Sequence, residues 1–246
     1  MTDLEARQIH EIALEAQEKG DFIKALQLEV QAMVLYQKAG DQKGFAEIQA
    51  MFFLTYRHLY EQTGDEGYLS LAKHAAMVSV ELAQKSGDKT ALAIPYFNLA
   101  KAQETLGQDK EALETFREAV DNILNNPPDT HDKEAVKLDF QIHLFTAEIK
   151  NGNSSFKEKA LSALKKLETA QGTTDYERGV WLSGGYMRLA ACLKETEPEQ
   201  AKKYLQKAKE IIDQDARLNL RLKQWEKLAK SFTTLGVVVT SILLLR

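Results

Sequence analysis

Ile94–Pro128 reads IPYFNLAKAQETLGQDKEALETFREAVDNILNNPP. Two amphipathic segments flank Gly107. On each, apolar residues return at i, i+3 and i+4, the period of a helix with one buried face. Tyr96, Leu99 and Ala100 lie before the glycine. Ala112, Phe116, Ala119 and Val120 lie after it. Two helices folded back on each other approach closely only where small side chains meet. Ala100 and Ala112 are expected to make that contact, while Tyr96, Leu99, Phe116 and Val120 fill the space around them. Pro127-Pro128 cannot continue the second helix.

The same grammar recurs along the chain. Ile9, Ile12 and Ala13 precede Lys19-Gly20-Asp21, and Phe22, Ala25 and Ala32 follow. An aromatic helix from Phe45 to Tyr60 leads to Thr63-Gly64-Asp65, then to Ala72, Ala76 and Val80. Ile142, Phe145 and Ile149 precede Asn151-Gly152-Asn153, with Ala160, Leu164 and Leu167 beyond. Tyr186, Leu189 and Ala190 precede Ala201, Leu205 and Ala208. Thr196-Glu197-Pro198-Glu199 reads as a capping box with proline in the first turn of this last helix. The second-helix alanines 25, 72, 112, 160 and 201 stand 40 to 48 residues apart. Self-similarity at such a period is the mark of a repeat architecture.

The stretch Ile94–Pro128 resembles a tetratricopeptide repeat, with Tyr96, the Leu99-Ala100 pair, Gly107, Ala112, Phe116 and Ala119 at the motif positions. The long spacing is similar to the roughly 40-residue branch of that family, found in signalling adaptors and regulator-bound helical repeats. The resemblance spans about residues 3–213. It is clearest in the third unit and degenerate in the second and fourth, where Arg57 of the second stands at a usually small position. It implies an all-α, right-handed superhelical solenoid of about five such hairpins over residues 1–215. An amphipathic capping helix is expected at 216–230 and an apolar tail at 231–246. Asn125–Lys133 (NNPPDTHDK) reads as a longer connection inside one solenoid, with a boundary between two lobes as the alternative.

In that family the first helix of each hairpin lines a concave groove. The resemblance thereby implies His10, Leu14, Leu54, His58, Phe97, Lys101, His143, Met187 and Arg188 as groove positions. One relative holds acidic C-termini in a Lys–Asn carboxylate clamp. His10 and Leu14 occupy those positions here, so that activity is not expected. The expected function is a cytoplasmic protein–protein interaction scaffold binding a peptide or protein segment. One alternative is a membrane-tethered assembly factor, and another is a peptide-sensing regulator. Charge reversal at Lys101 and Arg188 together is expected to weaken binding and leave stability close to that of the wild type.

Composition agrees with a helical scaffold. The 246 residues include only 13 glycines and 4 prolines, which leaves room for long helices. The net charge of -4 argues against a nucleic-acid binder, which needs a basic face. Charge is uneven, about -8 over residues 1–193 and +3 over 194–230, and the plain reading is a solvated surface. Cys192 is the only cysteine, so no disulfide framework is possible and a reducing compartment is expected. Residues 1–11 carry no apolar core of a signal peptide.

Enzyme chemistry is not expected. HExxH, CxxC, GxxxxGK[ST] and GxGxxG are all missing, so neither a metal nor a cofactor is anticipated. Leu182-Ser183-Gly184-Gly185 resembles the signature motif of ABC ATPases, but the chain lacks the phosphate loop that motif serves. Its small residues are expected to let a neighbouring helix approach. Cys192, beside Leu189 and Leu193, reads as a buried structural thiol, and Trp181 and Trp225 as packing anchors.

Residues 216–230 place Leu218, Leu222, Trp225 and Leu228 on one side of a basic helix, suited to cover the open end of a repeat array. Phe232–Leu245 carries no charge but falls some six residues short of the roughly 20 that span a bilayer. Lys223, Lys227 and Lys230 precede it, as they would a tail anchor. Membrane insertion through 232–245, docking onto the solenoid or a partner, and a disordered or processing remnant stay open as readings of the tail.

Overall fold

A computed structural model describes residues 2–233 of the chain. Among these residues there are eleven α-helices, four short 3-10 segments and no strand. The chain divides into two compact units, Met1–Pro128 and Asp129–Arg246. The division falls at the Pro127-Pro128 break.

The N-terminal unit is three helical hairpins. They are α1 (Thr2–Glu18) with α2 (Phe22–Ala39), α3 (Gln42–Thr63) with α4 (Glu66–Ser86), and α5 (Ala93–Thr105) with α6 (Asp109–Asn125). Each second helix also packs on the next first helix, α2 on α3 and α4 on α5. The first helices touch in series, α1 to α3 and α3 to α5. This order stacks the hairpins and leaves α1, α3 and α5 sharing one side of the unit.

A two-residue device sets the hairpin ends. Gly20, Gly40, Gly64 and Gly87 all adopt left-handed φ between 70° and 80°, the region where a side chain would be strained. An aspartate follows each one. Asp21, Asp41, Asp65 and Asp88 accept a backbone N–H from Lys24, Gly44, Gly67 and Thr90 respectively. The glycine closes one helix while the aspartate satisfies an orphan amide of the next segment.

Within the third hairpin, Ala100, Ala112, Phe116 and Val120 are buried as expected. The inward aromatic of α5 is Phe97, not Tyr96. Phe97 meets Phe116 edge-on at 5.9 Å, whereas Tyr96 is half-buried and its hydroxyl accepts from Gln84 at 2.8 Å.

The C-terminal unit contains α7 (Glu134–Lys150), α8 (Lys157–Thr169), α9 (Asp175–Leu193), α10 (Pro198–Ile212) and α11 (Asn219–Thr233). Its core joins Ile142, Leu164, Leu189 and Leu205 with Leu218, Trp225 and Phe232 of the terminal segment. The small residues of α9 do admit neighbours. A Cβ on Gly185 would stand 2.7 Å from Leu164 Cδ2 and 3.1 Å from Ile142 Cγ2.

Three local expectations change. The capping box lies at Thr174 and Glu177, ahead of α9, with both reciprocal bonds formed. At α10 the N-cap is Glu197 without a side-chain cap, and only Pro198 at the first helical position agrees with expectation. Cys192 is half-buried and donates its thiol to the Thr146 carbonyl at 3.3 Å. Phe232, read as the start of the tail, is a fully buried residue of α11.

The rest of the apolar tail, 234–245, lies outside the described residues, as does the membrane reading that depends on it. Among the described residues no helix is long and apolar enough to cross a membrane.

Candidate functional site

On α3 and α5 the chain repeats a short pattern. Phe53-Leu-Thr-Tyr-Arg57 and Phe97-Asn-Leu-Ala-Lys101 are 44 residues apart and put a cation one helical turn beyond a phenylalanine. The two helices touch, so the patterns meet. Lys101 Nζ sits 4.5 Å from the Phe97 ring centre and 5.4 Å from that of Phe53. Arg57 lies over the same Phe53 ring at 5.9 Å. Both rings are buried, so the cations rest on a fixed base.

Glu61 extends the cluster. It is within 3.5 Å of Arg57 Nε and 3.1 Å of His58 Nδ1. His58 stacks on Phe22 of α2, ring centres 4.9 Å apart and nearly parallel at 14°. An aromatic and charged band thus runs from Phe22 through His58, Glu61, Arg57 and Phe53 to Lys101 and Phe97.

His10 on α1 is half-buried, and its Nδ1 is 3.0 Å from the Tyr36 hydroxyl. Burial holds its pKa below the usual histidine value, outweighing the opposing pull of Glu47. Leu14, one turn on, is exposed at 44%. Leu54 packs partly buried against the core of the unit.

In the C-terminal unit, Arg188 on α9 donates from Nε to Thr146 Oγ1 at 2.9 Å and from Nη2 to the His143 carbonyl at 3.4 Å. His143 Nε2 stands 3.9 Å from Asp139 Oδ1. Met187 is a buried member of the core. Arg188 therefore ties α9 to α7. Arg188→Glu would break both bonds and is expected to lower the melting temperature.

Of the expected residues, the structure joins His58, Phe97 and Lys101 in one band of the N-terminal unit and His143 with Arg188 in the C-terminal unit, and it adds Phe53 and Arg57 to the first group. The signal for the added pair was the repeated Phe-x-x-x-cation spacing. Arg57 had stood out only as a departure from the small residue of the motif.

No family model matches the sequence, and no curated protein matches it. Solved structures do. BtubC (BKLC) from P. vanneervenii is similar over 85% of this chain and 80% of its own, with a TM-score of 0.61 and 19% identity. A kinesin light chain of Podosopora anserina with nearly identical TPR-like repeats covers 86% of this chain and 96% of its own, at a TM-score of 0.56 and 18% identity. A Rap protein complexed with competence and sporulation factor covers 95% of this chain and 66% of its own, at 0.57 and 14%. The fold of this chain is that of a tetratricopeptide-type helical repeat.

Proposed function

We propose that the chain is a protein-interaction scaffold without catalytic activity, and that the side of the N-terminal unit formed by α1, α3 and α5 receives a protein or peptide segment. The observation that carries this reading is the paired cation–aromatic pattern, with Lys101 over Phe97 and Phe53 and Arg57 over Phe53. Aromatic and arginine side chains dominate binding hot spots because they offer large, rigid contact area next to directional charge. Two cations on apolar rings suit a segment that presents a carboxylate beside an apolar side chain. Exposed Leu14 offers further apolar area on α1. The single cysteine fits a reducing, cytoplasmic setting.

A second reading, a sensor that takes a short peptide, is favoured by the Rap match, which extends over 95% of this chain and was captured with a bound factor. Site-specific photo-crosslinking in native extract tests the location. A benzophenone side chain at Leu14 or Leu54 is expected to capture a partner, while one at Ile23, an exposed site on α2, captures none. Equal capture from all three positions contradicts the assignment. The mass of the captured species, a protein or a short peptide, separates the two readings.

A further inference from the structure

Phe22, Ala25, Glu29, Ala32 and Tyr36 form the buried stripe of α2 at spacings of three and four. Glu29 sits in the middle of that stripe with no solvent exposure. Thr55 Oγ1 on α3 donates to its Oε1 at 2.5 Å. Gln17 Nε2 on α1 donates to the same Thr55 hydroxyl at 2.8 Å. One chain of hydrogen bonds therefore links the first three helices. Glu29 Oε2 is buried and has no hydrogen-bond partner. A buried carboxylate without a cation is costly, and the neutral acid occupies the same space at a much lower cost.

We propose that Glu29 makes the junction of α1, α2 and α3 proton-gated: the neutral acid locks α2 between its neighbours, and ionisation loosens the lock. The surroundings support this. Tyr56 on α3 is held above the usual tyrosine pKa by burial first and then by the charges of Glu29 and Tyr68, so it stays neutral where Glu29 titrates. Gln17 and Thr55 are neutral. Among the described residues of α1 and α3, no cation offsets the charge of Glu29. Burial pushes its pKa from 4.5 up to about 7, with the Thr55 hydroxyl opposing the rise.

The direction of the pH dependence follows. The folded pKa lies above the unfolded one, so the unfolded form gives up its proton first as pH rises. The stabilisation is complete below about pH 4.5 and is lost as pH climbs through 7. Spread over that interval, the opening equilibrium of the junction shifts by roughly 300-fold.

Hydrogen exchange on the full chain between pH 5 and 8, corrected for intrinsic rates, tests the proposal. Protection of α1–α3 is expected to fall with pH while α9 and α10 change little. Glu29→Gln and Glu29→Met, which cannot ionise, are expected to flatten that dependence. Wild-type protection of α1–α3 that does not change with pH overturns the proposal. So does the same pH slope in the wild type and in whichever variant folds.

Discussion

Gly44 lies in the first turn of α3 against the ring of Tyr36, which is fully buried. A methyl group there would overlap the ring, and the ring also holds His10 through its hydroxyl. Gly44→Ala is expected to cost about 1–3 kcal/mol by overpacking and to release His10 toward its ordinary pKa. Urea denaturation and an NMR titration of His10 check the two effects. Gly185→Ala should act in the same way on Leu164 and Ile142. Single residues were partly legible in the sequence. The five second-helix alanines are all buried because close helix approach demands a small side chain at a fixed spacing. Glu29 lies on an apolar stripe whose period was there to read, but a charged residue type points outward by default. Only the three-dimensional junction shows that it points inward. The inward turn of Phe97 was hidden for a related reason, since adjacent aromatics at 96 and 97 give two equally plausible faces.

Helix termini separate what a motif suggests from what the backbone uses. Thr174 accepts from the Glu177 amide at 3.1 Å, and Glu177 accepts from the Thr174 amide at 2.9 Å. That backbone bond, with the threonine hydroxyls, holds the Glu177 pKa below its usual value. Thr174→Ala is expected to cost about 1 kcal/mol, and Thr196→Ala much less, because Thr196 caps nothing. Thermal melts of the two variants side by side test this. Both sites match the capping-box spacing in sequence. Glu197 instead pairs with Lys157 of α8, a long-range contact that no local pattern reveals. The glycine–aspartate connections were legible, because both halves of the device are local backbone chemistry.

At the scale of the whole molecule, the hairpin order and the terminal helix follow from repeats that cannot bury their apolar faces alone. Trp225 closes the last face, 2% exposed, with its Nε1 donating to the Leu205 carbonyl at 2.8 Å. Trp225→Ala is expected to cost about 3–5 kcal/mol, and a chain ending at Asp215 should expose the α9–α10 face and aggregate. Calorimetry and light scattering report both outcomes. The division at Pro128 was visible only as a break, since a double proline stops a helix without stating what lies beyond it. The face on α1, α3 and α5 was half visible. The resemblance supplied positions, while the charge and aromatic partners came from helices meeting in space. Its most direct test is to select ligands from a random peptide display library on the wild-type chain and measure their affinity for Lys101→Glu and Arg57→Glu, with helicity and melting followed in parallel. The predicted result is binding at least tenfold weaker in both variants, with helicity unchanged. Affinity equal to that of the wild type in both folded variants would contradict the proposed face.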